Sequence, residues 1–240
     1  MSGDIVGDTA LHPREKQKRQ AALKALEHVQ SGMCLGLGTG STAKYAIEGL
    51  GERLASGQLQ TISAVPTSQA TATLAQHWKI PLVELPRSGV DVAIDGMDEV
   101  DDALNAIKGL GAALTREKIV ASRAALFVLI GDSSKKVSQL GLRTPIPVEV
   151  LPFGAESTAA CLEALGCRAV WRCDAAAAPV ISDNGHYVYD CFFEAPDVHA
   201  LNHALRAIPG VVEHGLFLGM AAVAYVADDE DVLLLRRPGV

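Results

Sequence analysis

The segment 33-MCLGLGTGSTAKYAIEGLGERLA-55 begins with a short apolar run, residues 33–38, that ends in glycines. Such a run is typical of a buried β-strand. Ser41 and Thr42 follow, and they open a stretch whose apolar residues have helical spacing. The segment therefore predicts a strand, a glycine-rich loop and a helix in direct succession, which is the repeating unit of α/β proteins.

The same alternation continues on both sides of this unit. Helical spacing precedes it at residues 14–29, and after it apolar runs alternate with helical segments in TISAVP, SQATATLAQHW, PLVEL, VDVAID, TREKIVASRA and LFVLIG. Strands that are apolar along nearly their whole length are buried on both faces, as in parallel sheets covered by helices. The predicted fold class is therefore α/β, with a Rossmann-like parallel-sheet domain.

The pattern changes after Leu142, where RTPIPVEVLPF places prolines at 145, 147 and 152. We interpret this stretch as a domain connection. The next segments predict a helix, a strand, a hairpin with the turn DNG and a second helix, and together these form a small α+β unit of ferredoxin-like type. Two final apolar runs, GLFLGMAAVAYVA and DVLLLRR, are predicted to return to the first sheet. The predicted domains are 1–142 plus 213–240 and an inserted 143–212.

Composition excludes several classes of protein. The 240 residues carry a formal charge of −7 without a long basic run, so nucleic acid is not an expected partner. The longest uncharged apolar run has 13 residues, fewer than the 18 or so that cross a bilayer, so no membrane association is expected. No apolar signal core precedes the first charged stretch, and the five cysteines form no CxxC pair. A cytoplasmic protein with reduced thiols is expected.

The loop Gly36-Leu-Gly-Thr-Gly-Ser-Thr42 joins the first strand to the first helix of the sheet. Backbone N–H groups and the positive end of a helix dipole hold phosphate at such positions. The loop lacks the third glycine of the dinucleotide fingerprint and the lysine of a P-loop. Two interpretations remain open from the loop alone: a phosphate site, or a tight turn before a helix.

Carboxylates crowd the end of the strand VDVAID. Asp95 and Asp98 flank Gly96 and are placed to turn into a cleft, where they would bind sugar hydroxyls or a divalent cation. Three further acids are interpreted as a solvated rim: Glu99, Asp101 and Asp102. An acidic turn in water is the alternative for the whole cluster.

Two more segments add candidate residues at the same edge of the sheet. In IKGLGAALTREK, Lys108 precedes a glycine loop, Thr115 is placed to cap a helix, and Glu117 lies in its first turn. Glu117 is either a base activated by partial burial or an ordinary acid that stabilises the helix dipole. Lys135 follows the strand LFVLI and is placed to neutralise an anion. All four segments follow strands at their carboxyl ends, where open α/β sheets bind ligands.

In the order GLGTGST, DGMDE, KGLGAALTREK, GDSSK and PIPVEVLPF, these segments resemble the ribose-5-phosphate isomerase type A family over essentially the whole chain. The resemblance implies an aldose-ketose isomerase of pentose phosphate metabolism, without metal or other cofactor, that forms a homodimer or homotetramer. It implies that Glu117 shuttles a proton between C2 and C1 through a cis-enediolate, and that Asp95, Asp98 and Lys108 assist it. It implies a substrate site formed by Thr39, Gly40, Ser41, Thr42, Asp95, Gly96, Met97, Asp98, Lys108, Gly109, Leu110, Gly111, Lys135 and, with a looser match, Lys18.

Two positions depart from the family pattern, since Leu110 stands where KGGG is usual and Met97 where DGAD is usual. Both put larger apolar side chains beside the pocket. Two other functions remain as alternatives: a non-catalytic sugar-phosphate sensor, and a magnesium-dependent phosphotransferase that uses the acids between 95 and 102. His199 and His203 have helical spacing but no third ligand, so we interpret them as surface residues of an amphipathic helix.

Overall fold

The alternating segments form six α-helices and thirteen β-strands within residues 12–237, the part of the chain that this computed structural model describes. The helices are α1 (Pro13–Ala25), α2 (Ala43–Ala55), α3 (Gln69–His77), α4 (Leu114–Ser122), α5 (Ala155–Glu163) and α6 (Val198–Arg206). The strands are β1 (Cys34–Leu37), β2 (Ser63–Pro66), β3 (Val90–Gly96), β4 (Glu99–Val100), β5 (Ala106–Ile107), β6 (Ala124–Asp132), β7 (Ile146–Val150), β8 (Arg168–Trp171), β9 (Tyr187–Phe192), β10 (Val211–His214), β11 (Leu216–Phe217), β12 (Val223–Ala227) and β13 (Val232–Arg236).

The largest sheet in this part of the chain has the strand order β13-β12-β6-β3-β1-β2. All neighbours are parallel except β13, which runs antiparallel to β12. Both faces are covered: Val92 and Ile94 pack with α1 and α2, whereas Ala93 packs with Val120 of α4 on the other face. The predicted Rossmann-like parallel sheet is therefore confirmed.

The strand order reverses at β1, which has β2 on one side and β3 on the other. Loops that leave neighbouring strands in opposite directions open a crevice at their carboxyl ends, and ligands of α/β sheets bind there. The glycine loop after β1 and the acidic turn after β3 meet at this point.

A second sheet has the order β10-β7-β9-β8 and is antiparallel throughout. With α5 and α6 it gives the element order β-α-β-β-α-β, the ferredoxin-like arrangement that the sequence predicts. The domain division remains a prediction. Because the 212/213 boundary falls inside β10, we propose that the small unit extends to His214.

The stretch RTPIPVEVLPF, predicted as a connection, instead contains β7, a central strand whose five residues are all buried. Pro147 is tolerated because its hydrogen-bonding edge faces Gly215, beyond the end of β10. There its carbonyl accepts from the Gly215 N–H at 2.7 Å. Proline content alone therefore misled the sequence interpretation.

The last two apolar runs differ from the prediction in part. β12 and β13 join the central sheet as expected, but Leu216 and Phe217 pair with β5 in a small sheet of order β11-β5-β4. Lys108 is the residue that directly follows β5. In PLVEL, only Leu82 bridges to the central sheet, through Ala64. No helix within residues 12–237 has the length and apolar character to cross a bilayer.

Candidate active site

The glycine loop after β1 is shaped by its contact with Asp95. The Gly38 N–H donates to the Ile94 carbonyl at 2.9 Å, and a Cβ placed on Gly38 would lie 2.1 Å from Asp95 Oδ1. Gly40 has φ +113°, a conformation that L side chains rarely adopt. The loop leads directly into α2, whose first-turn N–H groups receive no side-chain cap from Thr42. The loop therefore presents the positive end of a helix dipole to the crevice.

Thr39 fixes this loop through a cluster of hydroxyls. Its Oγ1 lies 2.8 Å from Thr67 Oγ1, 2.9 Å from Ser68 Oγ and 3.0 Å from Thr71 Oγ1. The three partners lie between the end of β2 and the first turn of α3, and sequence reasoning missed them. The sequence feature that could have indicated them is the polar run that directly follows the apolar strand β2.

Asp95, Lys108 and Glu117 form a buried charged group beneath the crevice. Lys108 Nζ lies 3.0 Å from Asp95 Oδ2 and 3.3 Å from Glu117 Oε2, and it donates to the Gly96 carbonyl at 2.6 Å. All three side chains are less than 5% exposed. Two carboxyls therefore share one lysine, and all three side chains are largely shielded from solvent.

The two carboxyls differ in their other partners. Asp95 Oδ1 accepts from the N–H groups of Thr39 at 3.1 Å and Gly96 at 2.7 Å. Glu117 Oε2 has no hydrogen-bond partner among the described residues. Burial and, to a lesser extent, the Asp95 charge raise the pKa of Glu117, Lys108 opposes both, and the resulting pKa is about 8. Burial also raises the pKa of Asp95, but its three donors favour the charged form, so Glu117 is the carboxyl that binds a proton more readily.

Lys108 stays charged in this setting. Burial alone would lower its pKa, but the adjacent charges of Asp95 and Glu117 outweigh burial and raise it. The group therefore combines a permanent cation with a carboxyl that titrates near neutral pH, an arrangement suited to proton transfer.

Above this group lies a cavity of about 220 Å³. It brings together nearly all the residues predicted to bind substrate, from four separate segments. Its lining residues are Thr39, Gly40, Ser41, Thr42, Gly96, Met97, Asp98, Lys108, Gly109, Leu110, Gly111, Glu117 and Lys135. Asp95 lies beneath the cavity and is not among these lining residues.

Comparisons with known proteins show the family of this chain. A family model described as Ribose 5-phosphate isomerase A (phosphoriboisomerase A) matches residues 63–231. Ribose-5-phosphate isomerase A of Roseiflexus castenholzii is 50% identical over 223 residues, which cover 92% of this chain and 95% of that protein. The chain belongs to the ribose 5-phosphate isomerase A family.

Solved structures from the ribose 5-phosphate isomerase A family have the same fold. The enzyme from Plasmodium falciparum superposes with a TM-score of 0.90 at 39% identity, covering 93% of this chain and 99% of that chain. A D-ribose-5-phosphate isomerase in complex with phospho-erythronic acid gives a TM-score of 0.91 at 40% identity, covering 94% and 100%. The family resemblance drawn from the motifs is thus confirmed.

Lys18 reaches the glycine loop from α1 and does not line the cavity. Its Nζ donates to Ser41 Oγ at 3.0 Å and to Glu15 Oε1 at 2.7 Å. Glu15 also accepts from Tyr45 and pairs with Lys44, and the Lys18 and Tyr45 hydrogen bonds lower the pKa of Glu15 to about 2. Glu15, which the sequence analysis did not select, holds two cations beside the loop.

The two departures from the family pattern have different surroundings. Met97 is buried, and its Cε would lie 2.7 Å from a Cβ placed on Gly131, so it packs tightly against Gly131 at the cavity wall. Leu110 is 44% exposed, and its N–H donates to Asp98 Oδ2 at 3.0 Å. Met97 therefore changes the packing, whereas Leu110 extends toward solvent at the cavity edge.

The predicted acidic rim is wrong at Glu99, which is 2% exposed. Its carboxylate accepts from the N–H groups of Gly141 at 2.7 Å, Thr144 at 2.7 Å and Arg143 at 3.2 Å. Asp102 is exposed and pairs with Lys136, as a rim residue should. Glu99 and Asp102 therefore have separate protein partners and do not share one cation site. No group of three or more potential metal ligands occurs within residues 12–237.

Thr115 does not cap α4, since the helix is preceded by Ala113 and its first turn has no side-chain cap. Thr115 Oγ1 instead donates at 2.5 Å to Glu149 Oε2, a carboxylate of β7 with no exposure to solvent. Glu149 also accepts from Ser182, Asn184 and His186.

His199 and His203 lie on the exposed side of α6, as predicted.

Proposed function

We propose that this protein interconverts D-ribose 5-phosphate and D-ribulose 5-phosphate through a cis-enediolate, with Glu117 as the base. The observation that carries the proposal is the Glu117 carboxyl itself. It is buried, lines the cavity, has one oxygen without a hydrogen bond and has a pKa raised to about 8. A base with a pKa near the working pH transfers protons most efficiently.

The reaction requires one carboxylate to act twice. Glu117 takes the proton from C2, the C–H electron pair forms the C1–C2 double bond, and the carbonyl pair moves onto O1. Glu117 then returns the proton to C1 while the O2 hydroxyl proton passes to O1, which leaves a ketone at C2. Negative charge develops on O1 between these steps, and Lys108, 3.3 Å from Glu117, stabilises it.

The opposite end of the cavity suits the phosphate. Residues 39–42 supply backbone N–H groups at the start of α2, and Lys135 lines the same cavity. Lys18 adds a cation through its contact with Ser41. Phospho-erythronic acid in the similar solved structure is also an anionic phosphate ester, which supports a site of this polarity.

Asp95 and Asp98 take different roles in this proposal. Asp98 lines the cavity and is placed to accept a hydrogen bond from a sugar hydroxyl. Asp95 holds Lys108 and the N–H groups of Thr39 and Gly96 from below. We therefore propose Asp95 as a positioning residue and not as a contact to the sugar.

The test of this function is isomerisation of ribose 5-phosphate by the purified protein in excess EDTA, followed by the appearance of ribulose 5-phosphate. Turnover that persists in EDTA is the expected result. A sensor would bind ribose 5-phosphate without converting it, and a magnesium-dependent enzyme would stop when the metal is removed.

Two further predictions remain. Solution scattering tests whether the protein is a homodimer or homotetramer, and cell fractionation tests whether it is cytoplasmic.

A further inference from the structure

Arg172, which directly follows β8 of the second sheet, reaches the loop that carries Lys108. Its Nη1 donates to the carbonyl of Gly109 at 2.8 Å and to the carbonyl of Leu110 at 3.0 Å. The other side of the guanidinium pairs with Asp190 of β9, where Nε donates to Oδ2 at 3.0 Å and Nη2 donates to Oδ1. One side chain therefore joins the second sheet to the wall of the cavity.

The loop to which Arg172 donates hydrogen bonds also makes a hydrogen bond to Asp98, which lines the cavity. The Leu110 N–H donates to Asp98 Oδ2, so this one residue is fixed through its N–H by Asp98 and through its carbonyl by Arg172. Gly109 has φ +102°, and a Cβ on it would lie 2.6 Å from Leu114 Cβ, so the loop conformation is tightly constrained. Any tilt of this loop displaces Lys108, the residue before it.

The geometry is specific for arginine. The Arg172 side chain is 10% exposed. Its planar guanidinium donates to a carboxylate from one edge and to two carbonyl oxygens from the other. An ammonium group cannot span these acceptors in one plane. Since buried guanidinium groups need all their partners, the fit indicates a fixed position.

We propose that Arg172, oriented by Asp190, is a positioning residue for the isomerisation, which sets the loop 109–111 and through it the place of Lys108 opposite Glu117. This inference rests on the proposed function. It assigns to the second sheet a part in catalysis at the sugar end of the cavity. Arg172 is not among the residues that line the cavity, so it acts through the loop and not on the substrate.

The test compares Arg172→Met with Arg168→Met in steady-state isomerisation of ribose 5-phosphate. Arg168 is the first residue of β8, the strand that ends just before Arg172. It is exposed and stacks over the Phe192 ring at 4.4 Å, and no contact with the loop 109–111 is recorded for it among the described residues. We expect Arg172→Met to lower kcat by about 10- to 100-fold, because small misplacements of reacting groups have effects of that size. KM and the inhibition constant of inorganic phosphate should stay within about twofold, since the phosphate loop is untouched. Arg168→Met should match the wild type.

Two further variants keep the test decisive. Arg172→Lys should resemble Arg172→Met, because the charge alone does not restore the fork. Asp190→Asn keeps the arginine but weakens its orientation, and we expect a kcat loss of about 3- to 10-fold with a wild-type KM. If Arg172→Met does not fold, Arg172→Lys and Asp190→Asn carry the test.

Wild-type kcat in the Arg172 variants, an equal loss in Arg168→Met, or a loss confined to KM would overturn the positioning role. The wild-type protein is assayed first. A wild type without isomerase activity would refute the proposed function, whereas an active wild type with unaffected Arg172 variants would refute only this inference.

Discussion

Lys108 Nζ lies 3.3 Å from Glu117 Oε2, and both side chains are 3% exposed. The lysine is the one cation within contact of two buried carboxyls in the described site, since it also pairs with Asp95. Burial raises the pKa of Glu117, and the Lys108 contact opposes burial by favouring the ionised carboxylate.

The kcat/KM of the isomerisation should depend on pH. Burial raises the pKa of Glu117 to about 8, and the base must be ionised to remove a proton from carbon. The ionised fraction grows as pH rises, so kcat/KM should increase about tenfold per pH unit below pH 8 and level off above it. A pH profile of kcat/KM from 6 to 9.5 measures this. A flat profile, or one that falls over this range, would contradict the assignment.

Replacing Lys108 removes the stabilising charge. We expect Lys108→Met to lower kcat by about 100- to 1,000-fold, the usual size of losing one donor to a developing oxyanion. Loss of the cation also raises the pKa of Glu117 further, so any residual activity should rise at higher pH than in the wild type. Lys136→Met is the control, because Lys136 pairs with Asp102 at the surface. Similar activity in the two variants would argue against the role of Lys108.

Lys18 should act on binding and not on chemistry. It contacts the loop residue Ser41 and lies away from Glu117, so Lys18→Met should raise KM by about tenfold with little change in kcat. Lys24→Met, on the same helix but paired with Glu27, should leave both constants unchanged. A fall in kcat at constant KM would place Lys18 at the reacting end instead.

Gly38 should tolerate no side chain. A Cβ there would lie 2.1 Å from Asp95 Oδ1 and 2.6 Å from Asp95 Cα, so Gly38→Ala must displace the Asp95 carboxylate and strand β3. We expect a loss of about 1–3 kcal/mol in the free energy of unfolding. Gly111→Ala is the matched control, because its Cβ would meet only Thr39 Cγ2 at 3.8 Å. Chemical denaturation measures both, and equal stabilities would contradict the packing argument.

Much of this site is predictable from local sequence because strands carry their polar residues to one edge. The loop after β1, the turn after β3 and the turn after β6 each follow an apolar strand of the parallel sheet, whose strands bring their carboxyl ends together. The loop that carries Lys108 is different, because it follows β5 of the small antiparallel sheet and reaches the cavity from there. Thirteen of the predicted residues accordingly line one cavity. Periodicity and glycine spacing predict the edge of the sheet at which the site lies, and the resemblance to the isomerase family supplies the list of residues.

Other features depend on contacts that sequence spacing does not encode. Glu99 looked like a rim residue because it stands among exposed acids, but a loop 42 residues later covers it with N–H groups. Thr115 looked like a cap because of its place in the motif, yet a buried carboxylate from β7 takes its hydroxyl. Arg172 lies 63 residues from Gly109, whose carbonyl it holds. Such long-range partners are fixed by how the two sheets meet, which local pattern cannot predict.

The turnover of Glu117→Gln tests most directly whether Glu117 transfers the proton. Glutamine keeps the shape of the side chain but cannot accept a proton from C2, so kcat should fall by at least about 1,000-fold while ribose 5-phosphate still binds. Glu52→Gln, at an exposed position of α2, is the control and should retain wild-type turnover. Wild-type-like turnover in folded Glu117→Gln would contradict the claim that Glu117 moves the proton.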